Sequence, residues 1–327
     1  MHPNSRLFAA SGLALAALCA SGAAAAEEFP SHAVTIVVPY NAGGGTDGTA
    51  RALAKGLTQV WGQPVIVENV GGADGLIGTQ KVARAKADGY TLVLSVPNLL
   101  LFKHLKEQGA FDAGAALTPV SLVAKYPVVV IASKKSGIRS VADLQKTCKD
   151  PAANCSWGSG EQFSWLAGQS VLDALGVGSS VTNVPYRGTG PVVNDVLGGH
   201  VTLGVGALAA PLPHYRSGGL AIVAGLAKKR DASTPDVPTL EESGVKGLSV
   251  GDPWYGLFAP RGIPPAVLLA WGTALKAVQK DASVLGALDV VNAQPVFSSA
   301  AEFSAQVAAD QKTFDTLLEK HPLPKQQ

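Results

Sequence analysis

Residues 39–47, PYNAGGGTD, are the stretch whose residue types best suit ligand chemistry. Gly43, Gly44 and Gly45 lack Cβ atoms, so the backbone there lets a ligand approach closely. A helix opening just behind them would offer free N–H groups and the positive end of its dipole, which together favour an anion. Thr46 and Asp47 are residue types that cap a helix start. A ligand-free strand-to-helix turn is the simpler alternative, but three successive glycines exceed what a turn requires. Gly43, Gly45 and Gly48 also satisfy GxGxxG, and Glu68 follows about 20 residues on, as a dinucleotide fingerprint asks. Against that reading, Pro39 to Ala42 lengthen the connection before the first glycine, where the fingerprint needs a tight turn. No GK[ST] closes the stretch into a phosphate loop.

Other chemistry-bearing patterns are missing from the sequence. It has no HExxH and no CxxC. His104, His200 and His214 stand apart without metal-like spacing and read as surface or satisfied histidines. Asp195 and Asp252 are candidates for a carboxylate pair, although nothing in the sequence shows that they meet. Hence no catalytic residue, metal site or cofactor is expected. Lys and Arg total 26 against 24 Asp and Glu. Without a basic run or an aromatic-basic stripe, nucleic acid is not an expected partner.

The ends and cysteines bear on compartment. Arg6, the apolar run Leu7 to Ala20 and the small residues Ala24, Ala25 and Ala26 read as a cleaved export signal over residues 1–26. Export also removes the chain from the cytoplasmic nicotinamide pool. With Cys19 gone, Cys148 and Cys155 remain, an even count that suggests a disulfide worth about 2–3 kcal/mol in the chain-entropy model. Two buried thiols or half a metal site are the rival readings.

The elements that must position the glycine loop follow from periodicity. Val34 to Val38 is a buried strand, and a helix follows with Ala50, Leu53, Leu57, Val60 and Trp61 on one face and Gly62 at its stop. Pro64 to Val67 and Tyr90 to Val96 are strands, with a helix at Leu76 to Lys86 between them. This alternation predicts an α/β layer with a parallel sheet. A second unit has strands at Val128 to Ala132, Val181 to Val184, Val201 to Val205 and Leu220 to Leu226. Its helices lie at Val141 to Lys146, Trp165 to Leu175 and Pro191 to Leu197. A helix begins at Pro264 and Pro265, and a Ser299–Glu302 capping box opens a last one with Phe303, Val307, Phe314 and Leu318 on one face.

From about Phe29 to Leu318 the chain resembles the Bug, or TctC-like, family of periplasmic substrate-binding proteins of tripartite tricarboxylate transporters. The segments that carry the resemblance are FPSHAVTIVVPYNAGGGTDGTARALAKGL, GQPVIVEN, ADGYTLVLS, VPYRGTGPVVNDVLGGHV, PDVPTLEESG and WYGLFAPRGIPP. The resemblance implies an α/β, two-lobed type II periplasmic binding fold with the ligand cleft between lobes. Lobe 1 would hold residues 27–124 and 252–327, and lobe 2 residues 125–251, with crossings near Ala124 and Gly251. It implies a monomeric, non-catalytic receptor for a small carboxylate, aromatic or dicarboxylate among the options. The partners would be transporter membrane subunits, or alternatively a sensor histidine kinase. A nucleotide-dependent oxidoreductase is the remote alternative.

Carried over position by position, the ligand contacts would come first from Tyr40, Asn41, Ala42, Gly43, Gly44, Gly45, Thr46 and Asp47. Ser95, Pro97 and Asn98 follow the third strand. Lobe 2 would add Ser159, Gly160, Gln162, Phe163 and Ser164, then Tyr186, Arg187 and Gly188, then Gly206 and Ala207. For Arg187 a surface salt bridge is an equal alternative. Family members often read NRPGAGG where this chain reads NVGGADG, carry His near Trp165, and carry Asp where Thr202 stands. These departures suggest a less polar rim. Phe163 and Trp165 either face an aromatic carboxylate or pack the second lobe.

Overall fold

In a computed structural model of the chain, residues 29–105, 110–248 and 250–323 are described. The expected export signal lies outside them. All elements below belong to one unit beginning at His32.

β1 (Val34–Val38) buries Val34, Ile36, Val37 and Val38 completely. α1 (Gly45–Trp61) packs Ala50, Leu53 and Leu57 inward, and Gly62 ends it in the left-handed region that glycine adopts without strain (φ 66°). Val60, placed on the same face by its spacing, is 44% exposed; the last turn instead engages through Trp61, edge-on to Trp271 at 4.7 Å. β2 (Val65–Asn69), α2 (Leu76–Ala83) and β3 (Thr91–Ser95) continue the alternation. A 3-10 turn at Pro97–His104 and a short α3 (Ala113–Ala116) lead into β4 (Leu117–Lys125).

The chain then builds a second sheet from β5 (Val128–Ser133), β6 (Ser156–Ser159), β7 (Thr182–Pro185), β8 (Leu203–Ala207) and β9 (Leu220–Gly225). Its helices are α4 (Val141–Lys149), α5 (Gln162–Ala174), α6 (Thr189–Gly198) and α7 (Leu212–Arg216). Val192, Val193 and Val196 of α6 pack on Val129 and Ile131 of β5 to form this core. Cys148, at the end of α4, is disulfide-bonded to Cys155, which leads into β6, with Cα atoms 5.6 Å apart.

β10 (Trp254–Pro260) returns to the first sheet, followed by α8 (Pro265–Val278), α9 (Ala282–Val290), β11 (Gln294–Pro295) and α10 (Ala300–Lys320). The strand orders are β11-β4-β10-β3-β1-β2 and β7-β6-β8-β5-β9. Neither sheet is purely parallel, contrary to the expectation from alternation. β1 runs parallel to β2 and β3, but β10 is antiparallel to β3 and β4; in the second sheet β5 is antiparallel to β8 and β9. The exceptions are β5 and β10, which enter or re-enter a sheet at a crossing with no helix to reverse the chain before them, and the two-residue edge strand β11, antiparallel to β4. β4 tolerates Pro119 because the pairing with β10 shifts register there and β11 covers only Ala124 and Lys125.

The two crossings lie side by side. Tyr126 N donates to Pro253 O at 3.1 Å, and Lys125 pairs with Asp252 at 2.9 Å. α10 packs along β4 and also reaches α5, where Phe314 meets Phe163 at 5.8 Å between ring centroids. Just past its end, His321 Nδ1 lies 3.0 Å from Asp173 Oδ2 of α5. Ser299 and Glu302 form the expected capping box at its start.

Candidate functional site

The glycine loop is held from below by Asp47. Gly44, rather than Thr46 or Asp47, is the N-cap residue of α1, so the two polar residues lie inside the first turn. Asp47 Oδ2 accepts from Gly43 N at 2.9 Å and from Arg51 Nε at 3.0 Å, while Oδ1 accepts from Asn69 Nδ2 at 3.0 Å. Asn69 also donates to Tyr40 O at 3.1 Å. Burial works to raise the Asp47 carboxyl, but Arg51, the Gly43 N–H and Asn69 outweigh it and hold the group below the usual carboxylate range. Asp47 thus shapes the loop, and the Gly43 N–H is already engaged. Asn41, Ala42, Gly43 and Gly44 are exposed. A Cβ on Gly45 would stand 2.1 Å from Tyr255 Oη, so the Tyr255 hydroxyl sits over the start of α1.

Opposite this loop, the first sheet meets the N-terminus of α5 from the second. Asp74 Oδ2 accepts from Gln162 N at 3.1 Å, and Asn98 Oδ1 accepts from Phe163 N at 3.2 Å. Asn98 Nδ2 in turn donates to Asp74 O at 2.8 Å. Two orphan N–H groups of one sheet's helix are therefore satisfied by side chains that belong to the other sheet's loops. Glu161 is the N-cap residue of α5, joined in a capping box to Ser164, whose Oγ accepts from Gly160 N and Glu161 N at 3.0 and 3.1 Å.

Several polar atoms at this junction have no hydrogen-bond partner among the described residues. They are both Oε1 and Nε2 of Gln162, together with Tyr40 Oη and Ser95 Oγ, which are near enough to influence each other but form no hydrogen bond of ordinary length. Thr49 Oγ1 and Trp157 Nε1 share that condition away from the cluster. Buried polar groups are normally satisfied, so four such atoms in one place mark where a ligand or water completes the network.

The electrostatics of the junction are acidic. Burial raises Asp74 to about 6, against the pull of the Gln162 N–H and Asn98. Burial, and next the Asp74 charge, raises Glu161 to about 8, against the pull of Ser164. Tyr40, Tyr126 and Tyr255 are all raised, first by burial and then by charges that include Glu161. Tyr126 and Tyr255 stack with centroids 4.6 Å apart.

The remaining positions carried by the resemblance fall around the same region or beside it. Ser159 closes β6 and accepts from Asn183 Nδ2 at 3.1 Å. A Cβ on Gly160 would stand 2.5 Å from Gly188 C, and one on Gly206 would stand 2.5 Å from the Thr189 side chain, so these backbones pack tightly. Ala207 ends β8, and Pro97 begins the 3-10 turn. Tyr186 donates its hydroxyl to Asp195, and burial, then this hydrogen bond, raises the phenol to about 12. Asp195 and Asp252 do not meet, since Asp252 pairs with Lys125. Arg187 is exposed and makes no ion pair among the described residues. The Phe163 ring is buried against Phe314, and its backbone N–H is what engages Asn98.

Sequence reasoning missed Asp74, Glu161, Tyr126 and Tyr255. Asp74 had a signal in NVGGADG: it stands at φ 54°, beside Ala73 at φ 46°, where glycine would be at ease. Glu161 was obscured because α5 begins at Gln162, three residues before the periodicity suggested.

Two lobes of mixed α/β structure, joined by adjacent crossings and facing each other with helix N-termini, define the type II periplasmic binding fold. The chain belongs to the TctC family, described as the tripartite tricarboxylate transporter family receptor, whose model matches residues 49–323. It is 32% identical to protein BugT of Bordetella pertussis over 296 residues, 90% of each chain. Among solved structures, Rpa4515 of R. palustris with adipate superposes with a TM-score of 0.82 at 28% identity, covering 90% of this chain and 99% of that one. MatC from Rhodopseudomonas palustris with bound malate gives 0.78 at 27% identity, covering 89% and 100%.

Proposed function

We propose that the protein is a periplasmic solute receptor that captures a small carboxylate and presents it, without turnover, to the membrane subunits of a tripartite tricarboxylate transporter. The observation that carries this reading is the set of buried, unpartnered polar atoms of Tyr40, Ser95 and Gln162 where the two lobes meet. The carboxylate would lie at the start of α1, where the Gly44, Gly45 and Thr46 N–H groups precede the first intrahelical bond and the dipole favours an anion. Malate and adipate in the two solved relatives support this ligand class. Residues 1–26 would direct export, which suits the Cys148–Cys155 disulfide. The lobes would be residues 27–124 with 252–327, and residues 125–251, hinged at the paired crossings.

Thermal unfolding of the purified protein with adipate and malate tests the reading. A ligand at 1,000 times its Kd adds about 4 kcal/mol of stability, a shift of several degrees. Flat melting curves across mono- and dicarboxylates up to about 10 mM would remove the proposal, because a receptor of micromolar affinity is saturated there.

A further inference from the structure

Resting on the transport reading, we propose that the outer edge of β9 is a docking strand. An extended, acid-bearing segment from the periplasmic face of the transporter's membrane subunits would pair with it and extend the second sheet. The described residues form two sheets with four edge strands, β11, β2, β7 and β9. An open edge offers unpaired N–H and C=O groups to other chains, and proteins blunt such edges with prolines, charges or shortness. Three of the four edges carry a device of this kind. β11 has two residues and ends in Pro295. β7 has four and ends in Pro185. β2 carries Glu68, paired with Lys81. β9 reads LAIVAG over six residues, with neither a proline nor a charge.

The chain's own cover over this edge is partial. Among the described residues only the end of β9 has an outer neighbour: Gly225 N donates to Pro238 O and Leu240 N to Gly225 O, both at 2.9 Å. Before that point Leu220, Ala221 and Ile222 line a hollow of about 380 Å³, which Asp236, Val237 and Pro238 also line. This open stretch is about 10 Å of strand. The bulge at Val223, where β9 shifts register against β5, falls beyond it. The open stretch is also clear of the cleft. Leu220 pairs with Ser133, the end of β5 remote from the crossing at Lys125 and Tyr126, so a docked strand leaves the ligand site free.

Charge selects the occupant. Lys134 and Arg139 line the hollow, against Asp236 as its one acid. Lys134 Nζ donates to Gly218 O at 3.1 Å, and Arg139 is exposed and makes no ion pair among the described residues. These cations favour an incoming strand that carries an acid. Membrane proteins concentrate lysine and arginine in their cytoplasmic loops, so their periplasmic loops are poor in them and bring little like charge. A second copy of this chain would bring the same basic excess to the shared edge, and that repulsion disfavours a β9–β9 pair.

Hydrogen–deuterium exchange tests the site on the mature protein, alone and with the transporter's membrane subunits in lipid nanodiscs. Adipate or malate is present, whichever raises the melting temperature more. Docking should slow exchange of the amides at 220–223 at least tenfold. Arg139→Glu should weaken docking tenfold or more while carboxylate affinity and melting temperature stay unchanged, and added salt should weaken docking of the unmodified protein. Ala221→Pro should abolish docking; if that variant fails to fold, Arg139→Glu still decides. Docking that leaves 220–223 unprotected, or that Arg139→Glu does not weaken, overturns the inference and leaves the transport reading standing. No docking by the unmodified protein removes both, while carboxylate capture survives in the melting curves. Protection of the same amides in the protein alone as its concentration rises assigns the edge to a second copy and overturns the inference.

Discussion

Glu161 carries two duties that pull in opposite directions. As N-cap residue of α5 it belongs beside N–H groups, yet burial and Asp74 press it toward its neutral form, to about 8 from an ordinary 4.5. A carboxyl raised on folding keeps a proton that the unfolded chain gives up, so its contribution to stability is complete below pH 4.5 and is lost as pH rises toward 8. Asp74 acts in the same direction over a lower window, from 3.8 to about 6. Melting temperature measured without ligand should therefore decline from pH 5 to pH 8, and Glu161→Gln should flatten the portion above pH 6. Parallel pH profiles for the two proteins would show that Glu161 is solvated and normal. Asp47 is the opposite case, an acid with Arg51, Asn69 and the Gly43 N–H around it. Its residue type suggested a helix cap, whereas the fold has it brace the loop from inside the first turn. Residue type could not separate these two acids, because burial and neighbours decide their charge.

At the scale of elements, strands with strong alternation or buried runs were legible: β1, β3, β5 and β9 coincide closely with their apolar segments. β4 and β10 were not. β4 contains Pro119, admitted by a register shift, and β10 is so thoroughly buried that WYGLFAP shows no period. Those two strands carry the chain across between lobes, so the sheet's mixed character was hidden with them. The link from α4 to β6 was better signposted. Cys148 and Cys155 close a span of seven residues and hold the end of α4 against the strand that leads to Ser159 and Gly160. Replacing both with alanine should lower stability by about 2–3 kcal/mol, read as a drop in denaturant midpoint at unchanged slope. A loss under 0.5 kcal/mol would mean that the reduced chain keeps this corner closed by packing alone.

For the whole molecule, the contacts between lobes form a short chain from Asp74 and Asn98 to α5, then from Phe163 to Phe314 and from Asp173 to His321. None of these pairings was legible, since each joins residues far apart in sequence and depends on how two lobes meet. Removing one should shift the balance between open and closed forms and so weaken binding without touching the glycine loop. Asn98→Ala, which frees Phe163 N and Asp74 O, should raise the Kd of the best carboxylate about tenfold, the size of one lost buried hydrogen bond. Small-angle scattering should then show a smaller ligand-induced contraction. Unchanged affinity would assign closure to the ligand alone. The pairing at the far end of α10 has another use. Any parting of the lobes must separate His321 from Asp173, at a distance from every group in the cleft. An environment-sensitive dye attached at position 321 would change its emission when the cleft fills, turning the protein into an optical indicator of its own cargo.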